Sequence, residues 1–383
     1  MIPNQKHLFS LSEEITYLNG SYMSPQLKSV EQVGLDALRK KSQPYLISEN
    51  DFFSDKEVLR KRFSQLIGCD DPQRIAIIPS VSFGIGTVLK NIPFRRNDEI
   101  ILLKEQFPSN YYAWAALVDE IGVKLKIIDA PEIGKDRGKL WNQRILEAIT
   151  SKTKCIAIPH VHWADGTKYD LRAIRKRSKE VNAYLIIDGT QSVGALPFSV
   201  KEIQPDALIC GGYKWLLGPY SLGVAYFGER FDHGVPLDNN WMNHEGAENF
   251  SNLINYNPLF KPKAARYDIG ESSNFNLVPM LSEAIRQLIL WTPEAIQSYC
   301  REISEESILR IQNLGIFIEE PEYRAHHLFG IFPSEEYKLE KIKEKISEKK
   351  IIVSFRGKSI RVSPNVYNSK DEIEKLLDCF LEY

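Results

Sequence analysis

The sequence predicts an α/β protein with a large domain, built on a mainly parallel seven-stranded sheet between helices, and a smaller α+β domain that closes the chain. Three observations lead there. Seven short runs rich in Ile, Val and Leu recur at 75–80, 99–105, 124–130, 154–160, 183–189, 207–212 and 222–228. Most are followed by a helix-length amphipathic segment, such as 109–121 or 171–181, the alternation that gives crossovers between parallel strands. After about residue 265 this alternation stops, and longer helical patterns mix with two or three short apolar runs.

The first five runs are nearly continuous in hydrophobicity, as expected of strands covered on both faces. Between the last two lies only YKWLLGPYS, too short for a helical crossover, so 222–228 is expected to be antiparallel to its neighbour. The second part reads as a long helical stretch over roughly 279–313, a strand in HHLFGIF, a charged helix near 336–349, strands in IIVSF and SIRVS, and a closing helix from about 370. The expected division is a large domain over 16–265, with 1–15 and 266–383 forming the small one. In an open parallel sheet, ligands gather at the carboxyl ends of the strands, so the residues just after each run are the candidates for chemistry.

Composition narrows the function classes. A chain of 383 residues with 43% apolar side chains can bury a sizeable core. Lys and Arg total 49 against 50 for Asp and Glu, a net charge of −1, so no global field draws nucleic acid or anionic lipid, and a small-molecule substrate is the default. The basic runs at 175–179 and 341–350 lie in mixed-charge, helix-like stretches and read as solvated faces. Five cysteines are odd in number, widely spaced and form no C-x-x-C pair, which indicates neither a disulfide framework nor a zinc site and fits a reducing cytoplasm. No metal is expected. The N-terminus lacks the pattern of a cleaved leader, and no run reaches the ~18 apolar residues of a membrane helix, so a soluble, unprocessed protein is expected.

Several strand ends carry unusual residues. Run 75–80 leads into Ser80-Val81-Ser82-Phe83-Gly84-Ile85-Gly86 and then an apolar helix, which sets backbone N–H groups and the Ser82 hydroxyl at a helix N-terminus suited to phosphate. A plain helix cap is the competing role. Run 183–189 ends in Asp188, a carboxylate whose burial is costly without a cationic partner. Run 207–212 leads to Tyr213-Lys214-Trp215, where aromatic neighbours should desolvate the lysine and push it towards the neutral amine. The loop after 99–105 brings Phe107, Asn110 and further aromatics to another strand end, with core packing as the alternative for Phe107. Pyridoxal 5'-phosphate (PLP) needs a phosphate cradle, a carboxylate for its pyridine nitrogen, a flat group against its ring and a lysine for its aldehyde. All four types occur here at strand ends.

At these residues the sequence resembles the class V aminotransferase family of fold type I PLP enzymes, which also holds cysteine desulfurases, kynureninases and isopenicillin N epimerase-like proteins. The resemblance runs from Tyr17-Leu18-Asn19-Gly20-Ser21 to the closing helix and is strongest in DGTQSVGALPFSV (188–200), DALICGGYKWLLGP (206–219) and IRVSPNVYNSKDEI (360–373). It implies that Lys214 holds PLP as a Schiff base and then shuttles the Cα proton, and that Asp188 pairs with the pyridine nitrogen. Gln191 would bond the phenolic oxygen. It further implies phosphate contacts from Val81, Ser82 and Tyr213, ring stacking by Phe107, with Asn110 and Trp163 beside the cofactor, and a grip on the substrate α-carboxylate by Arg361. The family is typically homodimeric with active sites at the interface, and Gly270-Glu271-Ser272-Ser273-Asn274 lies where a neighbouring subunit supplies a phosphate contact. Glu271 stands where the family often has Thr, so Ser272 or Ser273 is the candidate.

Cofactor motifs do not choose the reaction. Desulfuration needs a nucleophilic cysteine before the C-terminal arginine, and residues 326–361 contain none. Gln191 and Trp163 stand where kynureninases usually carry His and Tyr. Aminotransfer to or from an amino acid is the leading expectation, with a β-lyase or epimerase second and a non-catalytic binding protein third. Trp163 and His162 are candidates for the pocket wall, His160 for a structural role, and Tyr22 for either the substrate entrance or the core.

Overall fold

The computed structural model describes residues 2–334 and 337–381. A short β1 (Thr16–Tyr17) comes first. The central sheet follows as β2 (Ile75–Ile78), β3 (Glu99–Leu103), β4 (Lys124–Ile128), β5 (Thr153–Pro159), β6 (Tyr184–Asp188), β7 (Ala207–Gly211) and β8 (Gly223–Phe227). The remaining strands are β9 (Phe329–Ile331), β10 (Ile351–Ile352), β11 (Ser354–Arg356) and β12 (Ser359–Val362). The sheet of seven has the order β2-β8-β7-β6-β5-β3-β4. As the short connection requires, β8 runs antiparallel to both β7 and β2, while the other pairs are parallel.

Strand side chains alternate across a sheet, and here both faces are covered. Ile75, Ile77, Leu185, Ile187 and Leu208 belong to one core, and Ala76, Ile78, Ile186, Ala207 and Ile209 to the other. Run 124–130 departs from this pattern. It is the sheet edge, with Lys124 exposed and Ile127 38% exposed, because an edge strand has a neighbour on one side only and its lysines keep that edge in water.

The long helical stretch expected over 279–313 is two helices, Leu277–Trp291 and Pro293–Asn313. Thr292 sits between them at φ 66°, its hydroxyl accepting from the Ala295 amide at 3.3 Å. Pro293 cannot continue a helix through its missing N–H but suits a first turn. The helix 277–291 packs against Lys28–Lys41 and Ser54–Leu66. The expected charged helix is Leu339–Glu348, and its expected start at 336 lies outside the described residues.

The two ends of the chain meet. β1 pairs in parallel with β10, and the Ser363 amide donates to Leu18 O at 2.9 Å. β11, β12 and β9 form an antiparallel sheet. This joins residues 16–22 to the β11–β12 hairpin, beside the carboxyl ends of the central strands. No helix among the described residues is long and apolar enough to cross a membrane.

Candidate active site

Five strands, β2, β3, β5, β6 and β7, deliver their carboxyl ends to one cavity of about 300 Å³. Its walls include Val81 and Ser82 after β2, Phe107 after β3, Trp163 after β5, Asp188 and Gln191 at the end of β6, and Tyr213 and Lys214 after β7.

Lys214 is 5% exposed. Its Nζ lies 5.2 Å from the Phe107 ring centroid and 5.5 Å from that of Tyr213. Burial among these rings is the largest influence on the amine and lowers its pKa from 10.5 to about 8, against the pull of Asp188; Arg361 and Arg356 add to the lowering. Asp188 is itself buried, which raises its carboxyl, while the Thr190 amide, donating at 2.9 Å, and Lys214 oppose that rise. An acid and an amine share one cavity, each drawn towards its neutral form by burial.

Gln191 is held at three points. Its Nε2 donates to Ser21 O at 3.1 Å, its Oε1 accepts from Trp215 Nε1 at 2.9 Å, and its carbonyl accepts from His327 Nε2 at 2.8 Å. A carbonyl can only accept, so His327 carries its proton on Nε2 and takes Gln297 Nε2 at Nδ1, at 2.8 Å. The second amide hydrogen of Gln191 is left for a ligand in the cavity. Gly194, at φ 105°, lets this loop approach Trp215, since a Cβ there would sit 2.2 Å from Trp215 O.

After β2, Ser80 caps the helix Val81–Asn91: its Oγ accepts from the Phe83 amide at 3.2 Å and lies 2.9 Å from Ser82 Oγ. The Val81 and Ser82 amides remain as open N-terminal donors beside the cavity. Gly84 lets this helix lie close against β7, because a Cβ would stand 2.8 Å from Ile209 Cγ2.

Other expected residues lie elsewhere. His162 is 1% exposed and packs on Trp141, ring centroids 5.2 Å apart, with Nδ1 3.3 Å from Asp165. It faces the buried cluster of Asp165 and Arg137 rather than the cavity, and Val161 and Trp163 form that part of the wall. The odd and even positions after β5 point opposite ways, so Trp163 on the wall puts His162 behind it. His160 is buried against Phe198. Asn110 is also buried behind the wall, its Oδ1 accepting from Trp114 Nε1 at 2.9 Å. Tyr22 is 58% exposed beside Ser21. Ser273 lines a separate surface pocket with Phe52, Trp241 and Met242. Arg361 is 1% exposed and reaches Trp163 O with Nη1 at 2.7 Å and Ser354 Oγ with Nη2 at 3.2 Å.

The class V aminotransferase family model matches residues 48–376. The chain belongs to that family. Among curated relatives, the uncharacterised aminotransferase YcbU of Bacillus subtilis (strain 168) is 24% identical over 84% of this chain and 82% of its own. Among solved structures, the apo cysteine desulfurase of Thermococcus onnurineus NA1 is similar at a TM-score of 0.83 and 20% identity, covering 100% of this chain and 98% of that one. The cystine C–S lyase C-DES, as a lysine-to-alanine variant with glycine covalently linked to its PLP cofactor, gives 0.85 at 17% identity over 99% of both chains.

In this class V chain, several cavity residues gave no sequence signal. Tyr220, Ser221 and Leu222 complete the wall from a turn that reads only as a short connection. Thr190, whose Oγ1 accepts from the Gly211 amide at 3.1 Å, ties the ends of β6 and β7 together. Arg356 had a readable signal: it lies two residues from Ser354 and one tight turn before Arg361, and strand alternation puts it on the Arg361 face.

Proposed function

We propose that the protein is a PLP-dependent enzyme acting on an amino acid, with Lys214 as the lysine that carries the cofactor and aminotransfer as the reaction. The observation that carries this is Lys214 itself, buried over the Phe107 ring in the same cavity as Asp188. PLP is the cofactor of this family, and the residues fit it. The open amides at the start of helix Val81–Asn91 suit its phosphate, Asp188 its ring nitrogen, the free amide hydrogen of Gln191 its phenolic oxygen, and Phe107 a ring face. Bound there, PLP supplies an aldehyde for amines and an electron-withdrawing ring.

The chain's own groups do the rest. Asp188, buried and held by Thr190, favours a proton on a ring nitrogen facing it. Lys214, with its amine pKa lowered to about 8, reaches the neutral base form far more readily near neutral pH than a solvated lysine, and in that form it moves a proton off a substrate Cα. Trp163 and Phe107, edge to face with centroids 5.5 Å apart, exclude water on one side. Arg361 is the candidate for the α-carboxylate. Burial, with Arg356 second, pulls its guanidinium down to about 9, so it is still charged at neutral pH.

A β-lyase is the second reading, favoured by hercynylcysteine sulfoxide lyase of Schizosaccharomyces pombe, a relative 26% identical over 70% of this chain. Desulfuration by a cysteine nucleophile is disfavoured: Cys155, Cys210, Cys300 and Cys379 are buried, and Cys69 is half-buried away from the cavity. Ser273, outside this chain's own cavity, fits a role in a partner's site in a homodimer.

The test is the visible spectrum of the purified protein, wild type against Lys214→Ala, with and without amino acids. A band that requires Lys214 and shifts to the pyridoxamine form while a 2-oxo acid is released supports aminotransfer. Ammonia or a cleaved side chain with the band retained would instead establish a lyase.

A further inference from the structure

Two arginines stand against Trp163 of the cavity wall, one more than a single α-carboxylate requires. β11 and β12 pair with Ser354 opposite Arg361 and Arg356 opposite Ser359. Opposite residues of an antiparallel pair share a face, as do residues two apart, so Arg356 and Arg361 are diagonal neighbours on one face of the hairpin. That face is turned to the cavity wall: the guanidinium carbons lie 5.4 Å (Arg356) and 5.9 Å (Arg361) from the ring centroid of Trp163. Trp163 lines the cavity and is held by a bond from its Nε1 to Glu105 O at 2.6 Å.

Among the described residues, Arg356 donates only to its neighbour's carbonyl, Phe355 O, at 2.9 Å, and Arg361 to Trp163 O and Ser354 Oγ. Among the described residues no carboxylate pairs with either, and both Nε atoms are buried without a partner. Two like charges placed diagonally on a hairpin oppose its folding, and buried donors without acceptors add to that cost. Anions arriving with a substrate would relieve both. The phosphate of the cofactor has its own donors at the helix N-terminus after β2, and a substrate α-carboxylate occupies one guanidinium.

We infer that Arg356 is a specificity-determining residue that binds a second anionic group, so that the preferred substrate is an amino acid with an acidic side chain. This rests on the PLP reading above and adds the substrate class to it. Arg361 takes the α-carboxylate and Arg356 the side-chain carboxylate, on the same wall beside Trp163. Stacking of Arg356 on Trp163 for stability alone is the competing account, and it predicts no dependence on ligand charge.

The experiment titrates the cofactor-loaded protein with pairs that differ only in charge, L-aspartate against L-asparagine and L-glutamate against L-glutamine, following the cofactor spectrum to obtain dissociation constants. Charged hydrogen bonds of this kind give roughly 10- to 100-fold, so the acidic member of at least one pair should bind tighter by that factor. Arg356→Gln should abolish the preference while leaving the amide's affinity within about threefold, and Arg356→Lys should retain part of it. Thermal melts of both variants check that they are folded. Equal binding of acid and amide in the wild type, or equal weakening of both in folded Arg356→Gln, would overturn the inference and leave the PLP reading standing. Absence of any Lys214-dependent band in protein supplied with PLP would overturn both.

Discussion

Lys214 is defined by its surroundings more than by its type. Because folding lowers its pKa from 10.5 to about 8, chiefly by burial, the folded chain has released a proton that the unfolded chain keeps between those values. This group's cost to stability is therefore full below about pH 8 and fades as pH rises towards 10.5. The same depression sets a kinetic expectation. The rate at which cofactor-depleted protein recaptures PLP should rise about tenfold per pH unit below 8 and level off above it, since only the neutral amine reacts. Rapid mixing across pH 6–10 measures this, and a rate still climbing at pH 10 would mean a solvated lysine. Asp188 works by the complementary logic. Replacing it with Asn leaves a ring nitrogen facing a neutral amide, and the loss of a buried charge partner, roughly 3 kcal/mol or more, should lower turnover at least about 100-fold with the protein still folded.

At the scale of elements, the cavity depends on how β2 is fastened. Asp268 Oδ1 accepts from the Ile77 amide at 2.8 Å, and its Oδ2 meets Lys56 at 3.5 Å and the Arg60 guanidinium. All three side chains are nearly fully buried. Removing the acid leaves Lys56 with Ser272 Oγ and no carboxylate, and Arg60 with Glu57 and Ile75 O, so Asp268→Ala should cost about 3 kcal/mol in denaturant unfolding. It should also weaken PLP binding, because β2 leads directly to the Ser80 cap. A loss below about 1 kcal/mol would show that water reaches this site. The β6–β7 ends show the same dependence on neighbours: Gln191 is aimed by Trp215 from one loop and by His327 from far along the chain.

At the scale of the whole molecule, the 241–259 segment and Tyr220 of the cavity wall expose large apolar side chains. Tyr220 is 63% exposed, Trp241 40%, Ile254 82% and Tyr256 95%. Patches of this kind mark association sites, and Ser273 lies in the Trp241 pocket. Sedimentation equilibrium is expected to give twice the chain mass of 44.0 kDa, with PLP affinity falling on dilution into monomer. A monomer that holds PLP as tightly as the undiluted protein would remove the partner from the site.

The sequence by itself determined what depends on local pattern. The seven strands, the antiparallel β8, the cap at Ser80 and the positions of Asp188 and Lys214 follow from period-two burial, loop length and strand-end chemistry, all of which act over a few residues. Only the tertiary structure decided which way each side chain faces and what it meets. It turned His162 and Asn110 behind the wall, left β4 at the sheet edge, and brought His327 to Gln191 and Arg356 to Trp163. Those outcomes rest on contacts between segments far apart in the chain, whose energies no local pattern encodes.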